Sequence, residues 1–145
     1  MQRVSVLFAV ASTSFLLAGL LLSYRSLVDI HVGRIIIGLG SRECCFIFAA
    51  LLCAFAAVYS LWMLPLNLSA AYWHLWITAV SVAAFVTFFG IGEYLTGGHS
   101  RATWIALTAE LLSGVALIAG LAILAVNLAQ AVYKLLHSGL ALPVS

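Results

Sequence analysis

From Val4 to Tyr24 the chain carries no charged side chain, and Arg3 and Arg25 flank the run. A helix rising about 1.5 Å per residue would cover roughly 30 Å over this stretch, the thickness of a hydrocarbon core. A second uncharged stretch extends from Cys44 to Gly92, enough for two crossings. Pro65-Leu66-Asn67-Leu68-Ser69 divides it, because proline lacks a donor and disfavours helix in the residue before it, while Asn67 or Ser69 can cap the helix that follows. Thr96-Gly97-Gly98-His99-Ser100-Arg101 breaks the chain again, and a last apolar run, interrupted by Glu110 and near its end by Lys134, continues to Leu136. The pattern predicts four spans, at about 4–24, 44–64, 70–94 and 103–136. The last exceeds a bilayer's thickness and must tilt or project. The first run is too long for the apolar region of a signal peptide and ends without a small-x-small site, so it is expected to be a mature helix.

Small and polar residues within the spans recur at alternating steps of four and three. Span four shows Ala102, Ala106, Ala109, Ser113, Ala116 and Gly120, with Asn127 in phase. Span one shows Ser5, Ala9, Ser12, Gly19 and Ser23, with Leu16 interrupting, and span three a stripe that passes from polar to aromatic, His74, Thr78, Ser81, Phe85, Phe88 and Gly92. In lipid, helices associate through close packing of small residues and interhelical hydrogen bonds. The step pattern is that of a left-handed seam with helices crossing at about +20°. The expected fold is therefore all-α, one integral membrane four-helix bundle spanning residues 1–145.

Composition agrees with the pattern. The hydrophobic share is 66 % and the charged share 7 %, far from soluble averages of about 45–50 % and about 25 %. Six Lys+Arg against four Asp+Glu give a net charge of +2, too little for the phosphate-neutralising surface that nucleic acid requires. The expected surroundings are the lipid bilayer, other membrane subunits or a second copy. Tyr59, Trp62, Tyr72, Trp73, Trp76 and Tyr133 are expected to form an aromatic belt on the side of both chain ends, and Tyr24, Tyr94 and Trp104 one on the other. Arg25, Arg34, Arg42 and Arg101 lie on the second side against Arg3 and Lys134 on the first, which points both termini away from the cytoplasm. Cys44, Cys45 and Cys53 lack the C-x-x-C spacing of a zinc or redox site and read as small buried apolar residues.

Few residues are left for chemistry. His74 lies about a turn inside span three, on the face of Thr78 and Ser81. Intramembrane ionisable groups usually face the bundle interior. One reading makes it a haem or copper ligand or a proton relay; the other makes it an interfacial histidine bonded to a neighbour such as Asn127. Metal sites need several ligands at one depth. His31 and His99 fall in connections on the opposite side, and His137 lies beyond the end of span four, which favours the structural reading. Glu110, about two turns inside span four, is either a proton-relay carboxyl or a polar lock on a subunit contact, with Arg25, Arg101 or Thr108 as a partner. Ser26 to Glu43 reads as an interfacial segment dipping Ile35-Ile36-Ile37 into the headgroup boundary, where Asp29 and His31 are metal-ligand candidates against a solvated-loop alternative. Gly38-Leu39-Gly40 lacks the strand–helix context of a phosphate loop.

Tyr59-Ser60-Leu61-Trp62-Met63-Leu64-Pro65 followed by His74-Leu75-Trp76-Ile77-Thr78 resembles the hairpin before a late helix of haem–copper oxidase subunit I. Ala125-Val126-Asn127-Leu128 is similar to the final helix of cbb3-type subunits. The likeness covers the second half of the chain and extends to short four-helix proteins of the subunit I type. It implies a prokaryotic-type inner membrane and, at His74, the family's helix-opening histidine. The chain departs from the pattern where the second span opens with Glu43-Cys44-Cys45 in place of closely spaced histidines, while Asp29 and His31 stand where an Asp-His is usual. The resemblance therefore implies a non-catalytic scaffold subunit without a resident cofactor. A small haem-binding cytochrome using His74 is the second reading and a small oligomeric transporter the third.

Overall fold

The computed structural model describes residues 2–22, 28–32, 35–61, 65–95 and 101–138, and at 28–32, 35–39, 93–95 and 138 the backbone alone. Four long helices follow one another, α1 (Gln2–Leu21), α2 (Ser41–Ser60), α3 (Leu68–Leu95) and α4 (Arg101–Ser138). All four are long and apolar enough to cross a membrane. The expected all-α bundle of membrane helices is the observed architecture.

Local chemistry sets the helix ends. The Gly40 N–H donates to Oε2 of Glu43 at 3.0 Å, satisfying one of the amides a helix N-terminus leaves unpaired and starting α2 three residues earlier than the uncharged run suggests. That helix stops at Ser60, with Leu61 extended at ψ 102°; the predicted span reached Leu64, and residues 62–64 lie outside the described residues. Asn67 then caps α3. Its Oδ1 accepts from the Ser69 and Ala70 amides at 2.9 and 3.3 Å, and its carbonyl accepts from the Ala71 amide at 3.0 Å.

Between α1 and α2 the chain forms an antiparallel hairpin, β1 (Val28–Val32) with β2 (Ile35–Leu39), in register Val28↔Leu39 to Val32↔Ile35. The sequence reading had an interfacial segment here without strands. Alternation in Val28-Asp29-Ile30-His31-Val32 and the β-branched run Ile35-Ile36-Ile37 carry the strand signal. A two-stranded ribbon leaves its outer backbone edges unpaired, so it belongs outside the hydrocarbon.

Inside the bundle, α1 runs along α2 and α3 along α4, and the two pairs meet where α3 touches α1 and α2. Among the described residues α4 neighbours no helix backbone other than α3. The seam between α1 and α2 is built from the predicted small residues. Ser5 Oγ donates to the Ala56 carbonyl at 2.8 Å and Ser12 Oγ to that of Ala49 at 2.7 Å. Gly19 lies so close to Phe46 and Cys45 that an added Cβ would come within 2.9–3.1 Å of them. In α4 the buried positions Ala106, Ser113, Gly120 and Asn127 follow one another every seven residues, the repeat of a left-handed seam. At Gly120 a Cβ would stand 2.7 Å from Thr78 Oγ1, which shows how near α3 and α4 approach. Ala9 and Ala102, both assigned to seams, are exposed instead. Cys44 and Cys45 are buried thiols, whereas Cys53 faces outward.

Candidate functional site

The alternation of α3 places His74, Thr78 and Ser81 on its inner face, and all three are buried, His74 and Thr78 completely. His74 lies where α1, α2 and α3 converge. Phe8 of α1 and Phe55 and Tyr59 of α2 surround its ring, with centroids 5.2, 4.7 and 5.7 Å away. Phe8 also stacks on Tyr59, nearly parallel at 5.5 Å, and meets Phe55 edge-on at 5.6 Å. Offset and edge-on aromatic pairs of this kind stabilise by about 0.5–1.5 kcal/mol each beyond simple area burial. Val4, a turn before Phe8, is fully buried in the same cluster.

One ring nitrogen of His74 is used. Its Nδ1 and the Tyr59 hydroxyl are hydrogen-bonded at 3.0 Å, whereas Nε2 is buried without a partner. Asn127 was the expected partner of His74 and is bonded elsewhere. Its Oδ1 accepts from the Asn67 amide at 2.7 Å, and its Nδ2 donates to the Asn67 carbonyl at 3.1 Å. The Asn127 side chain lies near the Tyr59 hydroxyl but makes no hydrogen bond to His74. The expected belt placement of Tyr59 is corrected. It is only 1 % exposed, because its hydroxyl finds in His74 a buried polar partner that lipid could not supply. Trp73, Trp76, Tyr133 and Trp104 are exposed as belt residues should be.

The remaining candidates are dispersed. Glu110 is half-buried on α4, about 25 Å along that helix from Asn127. Among the described residues its carboxyl makes no hydrogen bond or ion pair. His137 is exposed in the last turn of α4, where its Nδ1 donates to the Tyr133 carbonyl at 2.9 Å and its ring lies 3.9 Å from that of Tyr133. Asp29 and His31 belong to β1 and their side chains, like His99, lie outside the described residues. No group of three His, Cys, Asp or Glu side chains comes together among the described residues.

A haem at His74 would use Nε2, since Tyr59 occupies Nδ1. That atom has under 1 Å² of exposed surface, and the ring is enclosed by Phe8, Phe55 and Tyr59. An iron at Nε2 would have to displace packed neighbours. The residues present therefore do not fit a haem in this arrangement. The Tyr59–His74 and Asn67–Asn127 bonds join neighbouring elements, the first of them inside an aromatic cage.

Phe8 and Phe55 are not among the residues the sequence singles out, and Tyr59 is there only as a belt residue and part of the resemblance. Their signal was available as large apolar residues at three- and four-residue steps, Cys45, Phe48, Leu52, Phe55 and Tyr59 on α2, and Val4 with Phe8 on α1. Comparison with protein-family models, with curated proteins and with solved structures gives no match to this chain.

Proposed function

We propose that this protein is a non-catalytic integral membrane subunit or accessory protein, a scaffold of the kind the haem–copper oxidase resemblance implies. The observation that carries the reading is the use made of the buried polar side chains. Tyr59 bonds to His74 and Asn67 to Asn127, joining α2, α3 and α4, and Ser5 and Ser12 bond α1 to α2. Functional polar groups in membrane proteins ordinarily line a cavity or face a substrate path; these are spent on contacts between helices. The second support is α4, whose backbone among the described residues neighbours only that of α3 and which turns Trp104, Ile105, Leu111, Leu112, Val115 and Ile118 outward. A helix so placed is available to a neighbouring subunit as well as to lipid.

The proposal includes both termini on the non-cytoplasmic side of a prokaryotic-type inner membrane, from the arginine distribution and the resemblance. Its test is purification of the tagged chain from its own membrane in a mild detergent. Migration within a larger assembly, with stoichiometric membrane partners identified by mass spectrometry, is the expected result. A chain that purifies alone and coloured would replace the scaffold reading with a cytochrome, for which His74 Nε2 is the specific atom in favour.

A further inference from the structure

The pair of α3 and α4 has a crevice on each flank of its seam. The flank that carries Leu117 and Leu128 is covered, since both pack against core clusters to which α2 contributes. The other flank is open and hollow at both ends. A groove of about 360 Å³, lined among others by Ala70, Ile123 and Gln130, lies at one end. One of about 220 Å³, lined among others by Phe88 and Ile105, lies at the other. Ala70 and Phe88 stand about five turns apart on α3, as do Ile105 and Ile123 on α4. Whole turns return to the same side of a helix, so both grooves belong to one crevice. Its length of about 27 Å is close to the roughly 30 Å of a hydrocarbon core.

Along the α4 wall of this crevice Ile105, Ala109, Leu112, Ala116, Ala119 and Ile123 follow at alternating steps of four and three, the repeat of a left-handed seam. The buried row through Ser113 and Gly120 is already taken by α3. This second row meets no other helix backbone among the described residues. Ile105 and Leu112 project from it, 66 and 65 % exposed, between alanines that leave room for a neighbour's side chains. Small residues that admit a close approach are what joins helices in lipid.

The row itself points to its occupant. A lipid fills the crevice within one leaflet, whereas the row is continuous through both. Copies of this chain inserted with one topology bring their rows together at equal depth, so that each projecting residue meets alanines of the other copy across a two-fold axis. Gln130, exposed one heptad beyond Ile123, ends the row with an amide that both donates and accepts and so can pair with its own counterpart.

We infer that two copies of this chain associate side by side through this crevice, with their α4 helices parallel and Gln130 bonded to Gln130 of the partner subunit. The inference rests on the reading that the outward side of α4 is a subunit contact, and it names the subunit.

The test is disulfide cross-linking in native membranes between two differently tagged copies of the full chain, with Cys53→Ala removing the exposed native thiol. Leu112→Cys and Ala119→Cys, on the crevice row, should each give a linked dimer carrying both tags, and adding Gln130→Leu should cut its yield several-fold. Leu111→Cys and Ile118→Cys, each about 100° round the helix, should give none. All five positions are exposed, so these changes leave the core intact. Equal yield from both rows would mark random collision and overturn the inference. No dimer from the crevice row would overturn it in favour of lipid or a different subunit. An unchanged yield with Gln130→Leu would overturn the amide pairing. Only copies of this chain are scored, so a missing dimer leaves the scaffold reading to be decided by the purification above.

Discussion

At the residue scale, His74 and Asn127 hold the interior together by using what their neighbours leave unpaired. Tyr59→Phe removes the hydroxyl from His74 Nδ1 and strands a buried ring nitrogen. The expected loss is about 1–2 kcal/mol of stability, between the average for membrane hydrogen bonds and the cost of an unpaired buried group. Asn127→Leu releases both backbone groups of Asn67 that it now holds, and a loss of similar size is expected. Because Tyr59 and Asn127 hold different partners, the double variant should lose about the two single losses added together. Thermal unfolding of the purified variants in detergent measures all three. Tyr59 was misplaced by sequence reasoning for a physical reason. A tyrosine near a helix end suits an interfacial belt as well as a buried bond, and only the packing of α3 on α2, which brings His74 to its hydroxyl, separates the two. His74 itself was legible, since an ionisable side chain in an uncharged run with Thr78 and Ser81 on its face must point inward.

At the element scale, the spacing of small residues decides which helix faces meet. Gly19→Leu should separate α1 from α2, because even a Cβ there comes within 2.9 Å of the Phe46 ring; overpacking of this kind destabilises by about 1–3 kcal/mol. Ser5→Ala and Ser12→Ala each remove one bond to a carbonyl that α2 already uses, and a loss of about 0.6 kcal/mol apiece is expected. Reversible unfolding in mixed micelles distinguishes these magnitudes. Seams and helices were legible because their residues repeat locally at helical spacing. The hairpin of β1 and β2 was not, because five-residue strands compete with the stronger expectation of an interfacial segment beside a membrane. Nor does local spacing reveal that, among the described residues, the α4 backbone neighbours only that of α3, since its outward face is as apolar as its inward one.

At the scale of the whole molecule, two helical pairs meet through α3, and the aromatic cage of His74 stands where the pairs join. The four crossings make a direct prediction for the thiols. In intact membranes a charged maleimide should label none of Cys44, Cys45 and Cys53, and a small apolar one should label Cys53 alone, the exposed one of the three. Rapid labelling of Cys53 by the charged reagent would put the middle of α2 in water and contradict the topology. The central claim is that His74, the one histidine buried among the described residues, is a structural junction and not a cofactor ligand. An optical spectrum tests it most directly, taken oxidised and dithionite-reduced on the detergent-purified protein expressed with a haem supply, alongside His74→Ala. The account predicts two featureless visible spectra and a His74→Ala protein that unfolds at lower temperature. A reduced α-band in the wild type that vanishes in His74→Ala would make His74 an axial ligand and contradict the account.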